Sequence, residues 1–228
     1  MPTPRFDLPD TSVFLDFDGT ISAFDIGLRI LERHGRAGWE EIDAAFVRGE
    51  IGSRACITAE WTFVDAPGPE LLATAMDVDL DPGFPALVAG LQAAGAEVVV
   101  LSDGFGFYVD AHCRAAAVPV DVYANRVDWD TRELQFPFGD PTCACQSCGV
   151  CKQAPIRAAA ARGRTTVMVG DGASDRKAAA LADVVFAKSG LARWCEEAGV
   201  AFIPYVTLRD VSDALLGGAG TGALPSEP

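Results

Sequence analysis

Val13-Phe14-Leu15-Asp16-Phe17-Asp18-Gly19-Thr20 is the stretch that decides the fold. An apolar run ends in two carboxylates spaced i, i+2, and a Gly-Thr turn follows at once. Alternate side chains of a strand face opposite ways, so Phe14 and Asp16 share one face and Leu15 and Phe17 the other. The acids then stand at the carboxyl end of a buried strand, where open parallel sheets place their ligands. Two acids crowded there repel each other unless a cation or a retained proton relieves the charge. Taken alone, Asp18-Gly19 also reads as a common turn pair.

The rest of the chain weighs against the bland reading. Val98–Leu101 is a second apolar run and ends in Ser102-Asp103-Gly104; Thr166–Val169 is a third and ends in Gly170-Asp171-Gly172-Ala173-Ser174-Asp175. Lys152 lies between them, shortly before the helix-like segment Ala154–Ala161. Every polar group follows a strand or opens a helix, so one sheet edge can gather them all. A carboxylate nucleophile, a second carboxylate, a hydroxyl, an ammonium and a distal acidic pair together make a phosphoryl-transfer kit.

In these four segments the chain resembles the phosphatases of the haloacid dehalogenase superfamily. Asp16–Thr20 matches the first motif, Ser102 the second, Lys152 the third and Gly170–Asp175 the fourth, in the family's order. The resemblance implies an α/β fold: a Rossmann-like three-layer α/β/α core around a mostly parallel sheet, with a small helical C1-type cap. It also implies roles. Asp16 is the nucleophile and Asp18 the general acid and base. Mg²⁺ is bound by Asp16, Asp18 (through its backbone carbonyl) and Asp171, with Asp175 behind them. The phosphoryl group is held by Ser102, Asp103, Gly104, Lys152 and Thr20. A dehalogenase would not need the second acid, and the transport-ATPase branch has a Lys beside the position of Gly19.

The length of the first connection agrees with an inserted module. A strand–helix–strand unit takes about 30 residues, yet residues 18–95, 78 in all, separate the first two strands expected at 12–17 and 96–101. Ile26–Arg33, Trp39–Arg48, Ser53–Phe63 and Pro69–Met76 have helical apolar spacing, broken by Gly35, Gly38, Gly49, Gly52, Pro67 and Gly68. The expected division is a core of 1–22 and 81–228 with a helical cap over 23–80. Farther on, Phe107–Ala117 reads as a helix, Val120–Tyr123 as a strand, Asn125–Phe138 as a hairpin, and Val184–Phe186 and Val200–Ile203 as short strands. Gly217–Pro228 reads as a flexible tail.

Composition narrows the partners. Half of the 228 residues are hydrophobic and 22% are charged, which fits a globular domain. A net charge of −14 leaves no basic surface for nucleic acid or anionic membranes. The expected partner is a small-molecule phosphate ester, and the expected assembly a monomer or homodimer. The start Met1-Pro2-Thr3-Pro4-Arg5 has no apolar export segment, so the cytoplasm is the expected location.

Four of seven cysteines crowd together as Cys143, Cys145, Cys148 and Cys151. Overlapping Cys-x-x-Cys spacings suit structural Zn²⁺ or an iron–sulfur cluster, and reduced thiols in a loop are the plain alternative. A cysteine-rich stretch running into the motif lysine, after Asp128-Trp129-Asp130, resembles the methionine-salvage phosphatase branch, which hydrolyses 2-hydroxy-3-keto-5-methylthiopentenyl-1-phosphate. Ser102–Val109 and Phe202–Tyr205 fit that branch too. Phosphoserine phosphatase, with the same cap type, has a Glu where this chain has Asp25. His34 and His112 have no partner at metal or triad spacing and read as ordinary packing residues, as do the four tryptophans.

Overall fold

The structure is a computed structural model and describes residues 6–140, 142 and 147–217. β1 (Thr11–Asp16) is buried along its whole length, as a run without solvent-facing polar alternation requires. The chain continues through α1 (Ile26–His34), α2 (Glu40–Val47), α3 (Ser53–Trp61), α4 (Gly68–Met76) and α5 (Phe84–Ala93). Next come β2 (Glu97–Phe105), α6 (Gly106–Ala115), β3 (Asp121–Val127), β4 (Leu134–Gln135) and α7 (Gln153–Ala161). β5 (Thr165–Gly170), α8 (Arg176–Ala179), β6 (Val184–Ala187), α9 (Ser189–Ala198), β7 (Ile203–Pro204) and α10 (Leu208–Leu216) complete it.

Among the described residues the sheet runs β4-β3-β2-β1-β5-β6-β7. All neighbours are parallel except the β3–β4 hairpin. β1 is central, with Asp16 beside Leu101 of β2 and Leu15 beside Val169 of β5. Three strand ends carrying polar motifs are thereby adjacent at the point where the strand order reverses. Strand alternation sorts the apolar residues into two layers. Phe14, Leu101 and Met168 pack on Ile156 and Ala159 of α7 and Ala178 of α8. Leu15, Val100 and Val169 belong to the opposite layer with α5, α6 and α10, through Leu87, Val109 and Val211. This is the three-layer α/β fold that the sequence predicts.

Helices α1–α4 occupy the long first connection. The chain leaves and re-enters the core side by side: Ser22 and Leu80 form an antiparallel bridge. The Ala23 N–H donates to the Asp79 carbonyl at 2.8 Å and the Asp81 N–H to the Ile21 carbonyl at 2.7 Å. The β3–β4 hairpin braces these helices from outside. Arg132 donates to the carbonyls of Ala66 and Val64, and the Trp61 indole N–H to the Arg132 carbonyl. The two histidines hold packing positions, as expected: His112 meets the Ala75 carbonyl at 3.0 Å and His34 the Thr74 hydroxyl at 2.7 Å.

Two strands differ from the reading of the sequence. β2 does not stop at Leu101 but runs to Phe105, and its pairing with β3 slips between Leu101 and Phe105. Such an irregularity re-aims side chains. The strand expected over 200–203 shrinks to Ile203–Pro204 because Gly199, with φ +70°, ends α9 and the Val200 N–H turns back to the Cys195 carbonyl. None of the described helices is long and apolar enough to cross a membrane.

Candidate active site

Asp16 closes β1, and its Oδ1 accepts the N–H of Phe17 at 2.7 Å and the Lys152 ammonium at 2.6 Å. Lys152 reaches it from the loop before α7 and donates as well to Asp175 at 2.7 Å and the Ser174 hydroxyl at 3.0 Å. All three lysine protons are committed, as a cation only 3% exposed requires. Burial pulls the lysine pKa down, but the carboxylates of Asp16 and Asp175 outweigh it and hold the ammonium charged. Burial, then Asp175, push the Asp16 carboxyl above its ordinary range, and Lys152 opposes them.

Asp18 stands one turn beyond the strand. It accepts Ser102 and Tyr108 hydroxyls, each at 3.1 Å on Oδ2, and the Ile26 N–H at 3.0 Å on Oδ1. Desolvation first, and the nearby charge of Asp25 second, push its carboxyl up to about 7 against those donors. A carboxylic acid titrating there can give up a proton and take one back near neutral pH. The two acids of one motif thus occupy different environments: one ion-paired, the other surrounded by neutral donors.

On the third strand end, Asp171 accepts the Thr20 hydroxyl at 3.0 Å. Asp175 is fully buried, and its Oδ2 takes the N–H groups of Asp171 and Gly172 at 3.1 and 3.2 Å. Gly19 has φ +77°, and a Cβ there would stand 2.5 Å from Asp171 Oδ2, so only glycine suits both the turn and the approach. Carboxylate oxygens of Asp16, Asp171 and Asp175 lie within 4.8 Å of one another. Hard oxygen donors at that density fit a divalent cation such as Mg²⁺. Asp175 already serves Lys152 and two N–H groups, which suits a place behind the ligands rather than among them.

The structure therefore brings Asp16, Asp18, Thr20, Ser102, Lys152, Asp171 and Asp175 together. The Gly104 N–H donates to Ser102 Oγ at 2.9 Å, and the absent Gly104 side chain leaves room for the Tyr108 hydroxyl. The Asp103 side chain turns to the loop before Lys152, where its Oδ1 accepts the Val150 N–H at 2.6 Å. The zinc reading rests on Cys143 and Cys145, which lie outside the described residues; Cys151 is buried directly before Lys152. Sequence reasoning assigned no role to Tyr108, to Ser174 or to Tyr205, whose hydroxyl lies 3.3 Å from Thr20 Oγ1. Ser174 stands within the fourth motif, beside Asp175, whereas tertiary folding alone brings the hydroxyls of Tyr108 and Tyr205 to the site.

A cavity of about 190 Å³ lies between this cluster and helices α1–α3. Asp25, Asp43 and Glu60 line it beside apolar Leu28, Phe46 and Ile57, and no Lys or Arg among the described residues does. Burial, with Asp43 and Asp25 adding to it, pushes the Glu60 carboxyl up to about 7.

The model of the family described as haloacid dehalogenase-like hydrolase matches residues 13–180, the span of all four motifs. The chain belongs to that family. Its similar relatives are named as phosphatases. A protein named 2-hydroxy-3-keto-5-methylthiopentenyl-1-phosphate phosphatase from an Exiguobacterium species is 26% identical over 211 residues, covering 91% of this chain and 98% of its own. One of the same name from Bacillus pumilus is 27% identical, covering 87% and 88%. Among solved structures, a phospho-aspartyl intermediate analogue of phosphoserine phosphatase superposes with a TM-score of 0.70 at 17% identity, covering 90% of this chain and 99% of that one. Phosphoserine phosphatase from T. onnurineus gives 0.69 at 18%, covering 93% and 98%. At those identities the solved structures establish the fold alone.

Proposed function

We propose that this chain is a Mg²⁺-dependent phosphatase that hydrolyses a small-metabolite phosphate monoester through an aspartyl-phosphate. The observation that carries the reading is the split between the two opening acids. An Asp16 oxygen, held beside Lys152, attacks phosphorus in line, and the bond from phosphorus to the leaving oxygen breaks. Asp18, poised near neutrality, gives its proton to that oxygen. In the second half Asp18 takes a proton from water as the water oxygen attacks phosphorus, and the bond to Asp16 breaks, releasing phosphate. Ser102, Gly104, Thr20 and Lys152 hold the phosphoryl oxygens and balance their charge. Asp16, Asp171 and the Asp18 backbone carbonyl would hold Mg²⁺, with Asp175 behind; bound there, it supplies charge neutralisation for the transferring group.

In this reading residues 1–22 and 81–228 form the catalytic core, and 23–80 a helical cap that chooses the leaving group. The cavity supports 2-hydroxy-3-keto-5-methylthiopentenyl-1-phosphate over phosphoserine. The ammonium of phosphoserine would pair with Asp25, Asp43 or Glu60, but its carboxylate would find no cation among the lining residues, and a buried unpaired charge costs on the order of several kcal/mol. An uncharged leaving group with an apolar end meets Leu28, Phe46 and Ile57 without that cost. The test is a phosphatase panel with Mg²⁺ containing both esters. The expected result is turnover of the methylthio enol phosphate at a kcat/KM at least about a hundredfold above that for phosphoserine. Preference for phosphoserine would overturn the substrate, and inactivity on every phosphate monoester would overturn the chemistry.

A further inference from the structure

Lys152 must be placed to within tenths of an ångström, yet the five residues before it, 147–151, belong to no helix or strand. Their path is set by bonds to two distant segments. Asp103 Oδ1 accepts the Val150 N–H at 2.6 Å, and the Asn125 amide donates to the Asp103 carbonyl at 2.5 Å. Ser53, the first residue of α3, donates its hydroxyl to the Asp103 carboxylate, and the same oxygen accepts the Gly149 N–H at 3.1 Å. One residue on, the Arg54 N–H donates to the Ser147 carbonyl at 3.0 Å. The core loop thereby caps an otherwise uncapped helix, since Gly52 offers no side chain for the purpose. Gly149 is held equally closely: a Cβ there would stand 3.0 Å from Asp103 Oδ1 and 2.8 Å from the Asn125 amide nitrogen.

Asp103 also follows Ser102 along the chain. Its backbone therefore continues from one group of the phosphoryl site, while its side chain fixes the loop that delivers another. We propose that Asp103 and Ser53 are positioning residues: docking of α3 against the strand ends and placement of the Lys152 ammonium depend on one set of hydrogen bonds. When α3 lifts away, Gly149 and Asp103 lose their shared partner, and the loop is free to carry Lys152 off Asp16. Closure over the substrate and charge balance at phosphorus then come together. The inference rests on the reading of Lys152 as a phosphoryl-binding group.

The test uses orthovanadate with Mg²⁺, bound to the full-length protein and followed by calorimetry, so that no turnover is required. Lys152→Ala should weaken binding strongly. Ser53→Ala should weaken it by up to about tenfold, the range of one or two lost hydrogen bonds, and should add nothing in the Lys152→Ala background. Asp103→Ala should behave like Ser53→Ala, while Asp103→Asn, which keeps an acceptor for the Val150 N–H, should recover most of the loss; this pair decides the matter if Ser53→Ala does not fold. Losses that multiply in the double variant would mean that Ser53 acts independently of Lys152 and would overturn the latch. Vanadate bound normally by Asp103→Ala would do the same. If Lys152→Ala itself binds vanadate normally, the reading of Lys152 fails, and the latch with it.

Discussion

The two walls of the cavity are built on opposite plans. Behind the strand-end wall, Asp16 is joined to Lys152 and Asp175, a buried chain in which a cation stands between two carboxylates at 2.6 and 2.7 Å. On the facing wall, α2 buries none of its residues, and Asp25, Asp43 and Glu60 look into the cavity with no lining cation. The first wall is rigid and electrostatically closed, as preorganised catalysis demands. The second is open in charge, and α2, one of its helices, buries none of its residues, while α1 and α3 are anchored by Ile26, Ile30 and Trp61. Changes to the strand ends should therefore damage every substrate alike, whereas changes to the helices should alter which substrate is preferred.

The largest effect should come from Asp16→Asn. With the nucleophile gone, no phosphoenzyme should be trapped by rapid quench with labelled ester, and turnover of every ester should vanish; persistent turnover would break the comparison at its root. Chelation by EDTA should also abolish turnover, with recovery on adding Mg²⁺ and little recovery with Ca²⁺, whose looser coordination misplaces the nucleophile. Full activity in metal-free buffer would mean that the three clustered carboxylates do not act through a cation.

Asp18→Asn should be milder, since the nucleophile remains. A positioned acid–base group contributes about 10²–10⁴-fold. The loss of phosphorylation rate should be smaller for p-nitrophenyl phosphate, whose phenolate leaves unprotonated, than for an alkyl ester. Equal losses for both leaving groups would make Asp18 a structural residue.

The smallest effect is expected across the cavity. Glu60→Gln should change kcat for p-nitrophenyl phosphate by less than about tenfold, the scale of one altered hydrogen bond. Its signature lies in stability. Glu60 titrates near 7 when folded against an ordinary value of 4.5, so between those limits the folded protein holds more protons than the unfolded chain. Stability from this group falls as pH rises through that window. Gln cannot ionise, so the Tm of the variant should gain on that of the parent between about pH 5 and about pH 8. A Tm difference that does not change with pH would show Glu60 to be solvated.

The strand-end wall was legible in the sequence because its residues are bound to backbone events. Asp16 and Asp18 straddle the end of a strand, Ser102 and Asp171 follow apolar runs, and Lys152 precedes a helix. Each position is fixed by local structure, so a one-dimensional pattern survives folding. Tyr108 and Tyr205 gave no such signal. Tyr108 sits on α6, where an aromatic residue is ordinary packing, and only the fold brings its hydroxyl to Asp18. On the facing wall only Asp25 stood out, by comparison with phosphoserine phosphatase; Asp43 on α2 and Glu60 on α3 gave no signal, because their place beside the cavity depends on how those helices dock. The length of β2 was misread for a related reason: Ser102-Asp103-Gly104 has little strand propensity, and pairing with β3 carries it to Phe105.

The bridge between Ser22 and Leu80 has a consequence for how such a molecule can change over generations. Because the chain departs and returns through neighbouring positions of one antiparallel pair, residues 23–80 are joined covalently to the rest of the chain at two adjacent points, whatever side-chain contacts they make elsewhere. Segments whose ends lie that close can be exchanged for others without re-threading the sheet. A gene encoding this core could acquire a different lid by recombination at two codons and keep its reaction, so that new specificity arrives as a transplant rather than by the slow revision of individual side chains.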